Sequence, residues 1–285
     1  MKNSSKENTS SQSSPDSSPH SSPHKGVYLL PNLVTTAALF SGFYAVLAGI
    51  NGQFESAAIA VFVAMVLDGL DGRVARWTNT QSEFGEQYDS LSDLISFGLA
   101  PALVMYLWSL VHMREISVAW GKLGWMAAFI YVACAALRLA RFNAQIEEVD
   151  KKNFIGLPSP AAAGIMVGMI WVLNDLEVSG ATFQIPALIM TIGAGLLMVS
   201  NAKYNSFKDL DIKSKVPHLA ILGVILVFAL VQVDPPKVLF LVFFVYALSG
   251  PFTWIKEKRK SNNMAKSTQA ASDSSEKETH AKTTK

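Results

Sequence analysis

Eight stretches of this 285-residue chain are apolar over lengths close to a membrane span. They fall near 29–50, 54–75, 88–110, 122–143, 160–177, 183–200, 217–233 and 237–255. A helix needs roughly 20 residues to cross a hydrocarbon core of about 30 Å, and each run is near that length. The chain is therefore predicted to be an all-α integral membrane protein, a polytopic bundle of about eight transmembrane helices. Composition points the same way, since half of the residues are hydrophobic and only 16% are charged. Those charges gather in the tails and between the apolar runs. A net charge of +2 gives no sign of a nucleic-acid partner. Cys134 is the only cysteine, which excludes an intrachain disulfide and a cysteine metal cluster.

The basic residues orient the bundle. With a cytoplasmic N-terminus, the inner segments hold Lys25; Arg73 and Arg76; Arg138, Arg141, Lys151 and Lys152; Lys203, Lys208, Lys213 and Lys215; and Lys256, Lys258, Arg259 and Lys260. The outer segments hold Arg114, Lys122 and Lys237, so the bias is fifteen to three. Both termini are predicted to be cytoplasmic. Residues 1–25 are rich in Ser and poor in apolar side chains, and residues 258–285 are basic and polar. Both tails are expected to be disordered, leaving 26–257 as the membrane domain. His20 and His24 read as solvated passengers of the first tail. No apolar h-region with a small-residue cleavage site precedes the first run, so no cleaved signal peptide is predicted. The cluster KEKRK at 256–260 suits either a topology anchor or anionic lipid head groups.

The second run ends on aspartates, which a membrane segment should avoid. Asp68, Asp71, Gly72, Ala75 and Arg76 stand at i, i+3, i+4, i+7 and i+8 and share one helical stripe. After a polar break, Gly85, Asp89 and Asp93 repeat at i, i+4 and i+8 on the next helix. An antiparallel hairpin would bring four carboxylates together at the cytoplasmic boundary, where they repel unless neutralised. Oxygen-only ligands suit hard ions, and four carboxylates formally balance two Mg²⁺ or Mn²⁺. Gly72, Ala75 and Gly85 would leave room for a bulky ligand, with Arg76 meeting its anionic part. The alternative is a polar hairpin end in which Arg73 and Arg76 pair with the aspartates.

The spacing D-x2-D-G-x2-A-R-x8-G-x3-D-x3-D resembles the signature of the CDP-alcohol phosphatidyltransferases and is matched at every fixed position. The resemblance implies transfer of a phosphatidyl group from CDP-diacylglycerol to a small alcohol, with release of CMP. It makes Asp68, Asp71 and Asp89 ligands of Mg²⁺ or Mn²⁺, and Asp93 the base that also touches a metal. Gly72, Ala75, Arg76 and Gly85 would line the nucleotide and diphosphate site. A Pro-Asn-x-x-Thr stretch, here Pro31, Asn32 and Thr35, would help hold the nucleotide end, although capping and interhelical hydrogen bonding explain it equally. The pieces SFGLAPA, LRLARFN and GLPSPAAAG look like the phosphatidylserine synthase branch, in which the acceptor is L-serine.

Arg138 and Arg141 stand at i, i+3 on the fourth run, on the side of the acidic residues. Their forked donors suit the carboxylate of serine or a lipid phosphate, and the alternative is snorkelling at the interface. The Ala- and Gly-rich start of the fifth run, with Gly164 and Gly168, reads as a surface for close helix approach. The remaining runs carry few ionisable groups and read as scaffold or as the face of a homodimer. Two other functions remain open. One is a sister transferase acting on glycerol 3-phosphate or inositol phosphate, and the other is a membrane cation transporter using intramembrane carboxylates.

Overall fold

The computed structural model describes residues 29–144, 153–205 and 229–253, with single positions at 223 and 226. The two polar tails, and most of the run expected at 217–233, lie outside the described residues. The chain begins with α1 (Leu29–Ile50) and α2 (Phe54–Trp77). Next comes one unbroken helical stretch made of α3 (Glu83–Asp93), a π turn (Leu94–Leu99) and α4 (Ala100–Trp108). A 3₁₀ turn at Leu110–Glu115 leads into α5 (Val118–Ala144). Strand β1 (Asn153–Ile155), α6 (Ser159–Asp175), α7 (Gln184–Val199), strand β2 (Lys203–Asn205) and α8 (Pro235–Thr253) complete the order.

Among the described residues, Leu30–Ile50, Glu83–Trp108, Val118–Ala144 and Pro235–Thr253 are long and apolar enough to cross a membrane. Helix α2 has the length, but Glu55, Asp68, Asp71, Arg73 and Arg76 interrupt its apolar character. Helices α6 and α7 are shorter, at 17 and 16 residues. Side-chain size is sorted as a bilayer requires. Ala45, Ala57, Ala58 and Ala64 are fully or almost fully buried where α1 meets α2, while Phe40 and Val63 point outward. Without a hydrophobic drive between helices in lipid, small residues allow the close approach that packing needs. The Ser41 hydroxyl adds a bond to the Ala60 carbonyl at 2.7 Å.

The small face of α6 behaves as expected and has a partner. A side chain at Gly164 would sit 2.8 Å from the Phe243 ring, and one at Gly168 would sit 3.2 Å from the Phe240 Cα. Helix α8 therefore lies against α6. The end of α6 and the start of α8 are also linked, because Lys237 bonds Asp234 at 2.5 Å and lies 3.8 Å from Asp175. That bond from Lys237 holds the exposed Asp234 carboxyl below its usual range.

A small β ribbon interrupts the otherwise helical fold. Strand β1 pairs antiparallel with β2 in the register Asn153↔Asn205, Phe154↔Tyr204 and Ile155↔Lys203. Gly156 follows with φ +84, and a Cβ there would be 2.2 Å from the Met198 carbonyl oxygen. Only glycine fits both demands. The amides of Gly156 and Leu157 then bond to the carbonyls of Ala202 and Leu197, which ties the loop before α6 to the end of α7. The Tyr204 hydroxyl donates to the Ala247 carbonyl at 3.0 Å and fastens the ribbon to α8. Three-residue strands with no alternating pattern left no mark in the sequence that period-two reading could detect.

Candidate metal and phosphate centre

The hairpin between α2 and α3 is built by local chemistry. Asn79 takes φ 54 in the turn, a conformation that Asn tolerates better than most residues. Ser82 then caps α3, accepting the Gly85 amide at 3.1 Å. With the two helices antiparallel, Asp68, Asp71 and Asp89 present carboxylate oxygens that lie within 4.8 Å of one another. Asp93, one turn deeper on α3, lies against Asp68, while Asp89 lies against Asp71. Four carboxylates, two from each helix, thus gather in one cluster.

Surrounding hydroxyls hold this cluster in place. Thr35 donates to Asp71 Oδ2 at 2.7 Å, and Asp71 is only 4% exposed. Ser92 reaches from α3 to the Thr35 carbonyl at 3.3 Å. Thr36 and Tyr88 share a hydrogen bond of 2.9 Å, and the Tyr88 ring stacks on Phe84. Helix α1 is therefore the backing of the site. Asn32 sits beside Gly85, where an added side chain would lie 3.6 Å from Asn32 Oδ1 and 3.2 Å from the Ser82 cap. At Gly72 a side chain would meet nothing within 4 Å, so that flank of α2 is open.

The basic residues are distributed differently from the expectation. Arg76 turns back along its own helix, its Nε donating to the Gly72 carbonyl at 2.9 Å. Among the described residues, neither Arg73 nor Arg76 forms an ion pair with the aspartates. The salt-bridged hairpin end is therefore absent there. Arg138 and Arg141 share a helix face but separate at their tips. Arg138 bonds Ser159 at the start of α6 at 2.9 Å and faces Asp93 electrostatically. Arg141 places both terminal nitrogens on Asn201 Oδ1, at 3.2 and 3.3 Å.

Two polar atoms in this centre are buried without a hydrogen-bond partner, Asp89 Oδ1 and Arg138 Nε. An unsatisfied carboxylate oxygen beside two further carboxylates is a costly arrangement unless a cation meets it. The donor set is all oxygen and suits a hard divalent ion. Arg138 keeps one N–H without a hydrogen-bond partner, a donor suited to an anion. Sequence reading missed Ser159 and Asn201, whose partners lie 21 and 60 residues away. It also missed the link in which Ser90 and Asn143 join α3 to α5 by hydrogen bonds of 3.0 and 3.3 Å. A cleft of about 410 Å³, lined by Trp108, His112, Asn174 and Glu177, opens at the opposite end of the helices from the aspartates.

A helical membrane protein with carboxylates gathered on adjacent helix ends, backed by hydroxyls and flanked by an arginine, presents a cluster that could hold a metal ion. The chain belongs to the CDP-alcohol phosphatidyltransferase family, whose model matches residues 28–199. It is 35% identical over 229 residues to a CDP-diacylglycerol–serine O-phosphatidyltransferase of Helicobacter pylori, covering 80% of this chain and 92% of that protein. A protein of the same name from Mycobacterium leprae is 30% identical, covering 79% of this chain and 74% of its own. An archaetidylserine synthase of Methanothermobacter thermautotrophicus is 36% identical over 177 residues, which are 61% of this chain and 69% of that one.

Proposed function

We propose that this protein transfers the phosphatidyl group of CDP-diacylglycerol to L-serine, giving phosphatidylserine and CMP. The observation that carries the reading is the convergence of Asp68, Asp71 and Asp89, with Asp93 against Asp68 and Arg138 facing Asp93. That arrangement supplies three ligands, a base and an anion contact side by side. The names of the relatives supply the lipid donor and the amino-acid acceptor.

Asp68, Asp71 and Asp89 would hold Mg²⁺ or Mn²⁺, two ions by the count of charges, with Asp93 as a further ligand. When bound, these ions supply Lewis-acid stabilisation of the diphosphate and of the departing CMP. The chain's own residues do the rest. Thr35 keeps Asp71 turned toward its neighbours, and Asn32, Gly72, Ala75, Arg76 and Gly85 line the nucleotide and diphosphate side. Asp93 accepts the serine hydroxyl proton as the new P–O bond forms and the P–O bond to CMP breaks. Arg138 and Arg141 are assigned to the acceptor side, Arg138 meeting the serine carboxylate or the lipid phosphate.

The same reading gives the molecule eight spans, with both termini and the acidic centre cytoplasmic. In a bacterium this is the inner or plasma membrane. Residues 26–257 form the catalytic membrane domain between the polar tails 1–25 and 258–285, of which residues 1–24 and 262–285 are dispensable, and two copies pair as a homodimer. The experiment is purified protein with CDP-diacylglycerol, Mn²⁺ or Mg²⁺, and a panel of serine, glycerol 3-phosphate and inositol phosphate. CMP release with serine is the expected result. Preference for another acceptor would assign a sister activity, and metal uptake by vesicles without turnover would assign transport.

A further inference from the structure

We propose that Tyr131 is a positioning residue for Asp93, acting through the π turn that follows it; the proposal rests on the function given above. Asp93 is the last residue of α3, and Leu94–Leu99 form the π turn directly after it. In that turn the Ala100 amide bonds to the Ile95 carbonyl, five residues back. Such turns are rare, and they gather at functional sites inside α-helices. One residue of an α-helix corresponds to about 100° of rotation, so the wide turn decides how the acidic face of α3 is aimed relative to the packed face of α4.

The turn is gripped from two sides. Ser96 donates to the Ala38 carbonyl at 3.2 Å, and bare Gly42 lets α1 come close, since a side chain there would be 2.7 Å from the Ser96 Cα. On the other side, Tyr131 of α5 donates to the Phe97 carbonyl at 3.0 Å. Tyr131, Ser96 and Phe97 are all fully buried. Pro101 stands four residues after Phe97 and has no amide hydrogen to offer that carbonyl. The Tyr131 hydroxyl satisfies an acceptor that a regular helix would have satisfied itself. Nothing in the chemistry of transfer uses this phenol. Its place is explained by what it holds, a helix distortion adjoining the proposed base.

A displacement of about 1 Å at a reacting group costs up to about a hundredfold in rate, so a loosened π turn should appear in turnover before it appears in binding. The test compares Tyr131→Phe and Ser96→Ala with the wild type, as full-length protein in lipid nanodiscs. The readouts are kcat and KM, Mn²⁺ binding by electron paramagnetic resonance, and hydrogen exchange across residues 94–101. In Tyr131→Phe the expected result is a kcat lowered at least about tenfold, with the KM for CDP-diacylglycerol and the Mn²⁺ affinity within about twofold of wild type. Exchange across 94–101 should rise in both variants. Unchanged kcat in Tyr131→Phe overturns the proposal. So does a parallel loss of kcat, Mn²⁺ affinity and thermal stability in both variants, or failure of both to fold, because these assign Tyr131 to structure alone. Wild-type turnover across the acceptor panel tests the proposed function separately. If another acceptor is used, that function is revised and the same split is read with it.

Discussion

Asp71 and Asp93 show how neighbours divide labour among four chemically identical side chains. Asp71 is held by Thr35 and faces Asp89, whereas Asp93 lies one turn deeper and faces Arg138. Asn keeps the shape of Asp but cannot take a proton. Asp93→Asn is therefore expected to lower kcat by about 10²- to 10⁴-fold while metal-dependent binding of CDP-diacylglycerol survives. Asp68→Asn should weaken metal and nucleotide binding together. Activity assays beside titration calorimetry separate the two outcomes, and lost binding in Asp93→Asn would make that residue chiefly a ligand. The arginines invite a second comparison. Arg138 keeps an Nε without a hydrogen-bond partner, while both terminal nitrogens of Arg141 are engaged by Asn201. Losing one charge-assisted hydrogen bond costs about 1.5–3 kcal/mol. Arg138→Lys should therefore raise the serine KM at least about tenfold, and Arg141→Lys should change it far less. Equal effects from both would show that the two guanidiniums act as one site.

At the scale of elements, close approach through small residues recurs throughout the bundle. The tightest case lies at the end away from the aspartates, where the 3₁₀ turn Gly180–Thr182 presses on the end of α4. A Cβ at Gly180 would lie 1.9 Å from the Trp108 carbonyl oxygen, and Ser109 bonds the Gly180 carbonyl at 2.7 Å. Backbone cannot move aside as a flexible side chain does. Gly180→Ala is expected to destabilise by about 1–3 kcal/mol, read as a lower melting temperature in detergent. Gly193, on α7, has nothing within 4 Å of an added Cβ and serves as the control. A Gly180→Ala protein as stable as Gly193→Ala would mean that the turn can shift away from α4. The β ribbon fits the same scheme, since it staples the loop before α6 to the end of α7 and, through Tyr204, to α8.

For the whole molecule, the arrangement to be tested is orientation. On the proposed orientation, which rests on the basic bias of fifteen to three, both tails and the acidic hairpin are expected to face the cytoplasm. Cys134 is the only cysteine and is buried, so single cysteines introduced elsewhere can be labelled against a low background. Cysteines at Ser10 and Ser272 should be shielded from an impermeant thiol reagent in intact cells and react after lysis. Labelling of either tail from outside would invert the topology.

The sequence by itself determined where helices lie, because span length and apolar runs are local properties: seven of the eight expected runs coincide with described helices that begin within about five residues of them, and most of the run at 217–233 lies outside the described residues. It also determined the acidic motif, because a carboxylate at the end of an apolar run is conspicuous against its neighbours and i, i+4 spacing sets the face. Tertiary structure decided which partners those residues meet. Thr35 on Asp71, Ser159 on Arg138, Asn201 on Arg141 and Tyr131 on the Phe97 carbonyl join positions 21 to 60 residues apart. No periodicity records such pairings. The separation of Arg138 from Arg141 follows from what α6 and α7 bring beside them. The π turn draws on sequence and tertiary structure alike: Pro101 removes the amide that would meet the Phe97 carbonyl, and the hydrogen bonds from Ser96 to α1 and from Tyr131 of α5 hold the wider turn from outside its own helix.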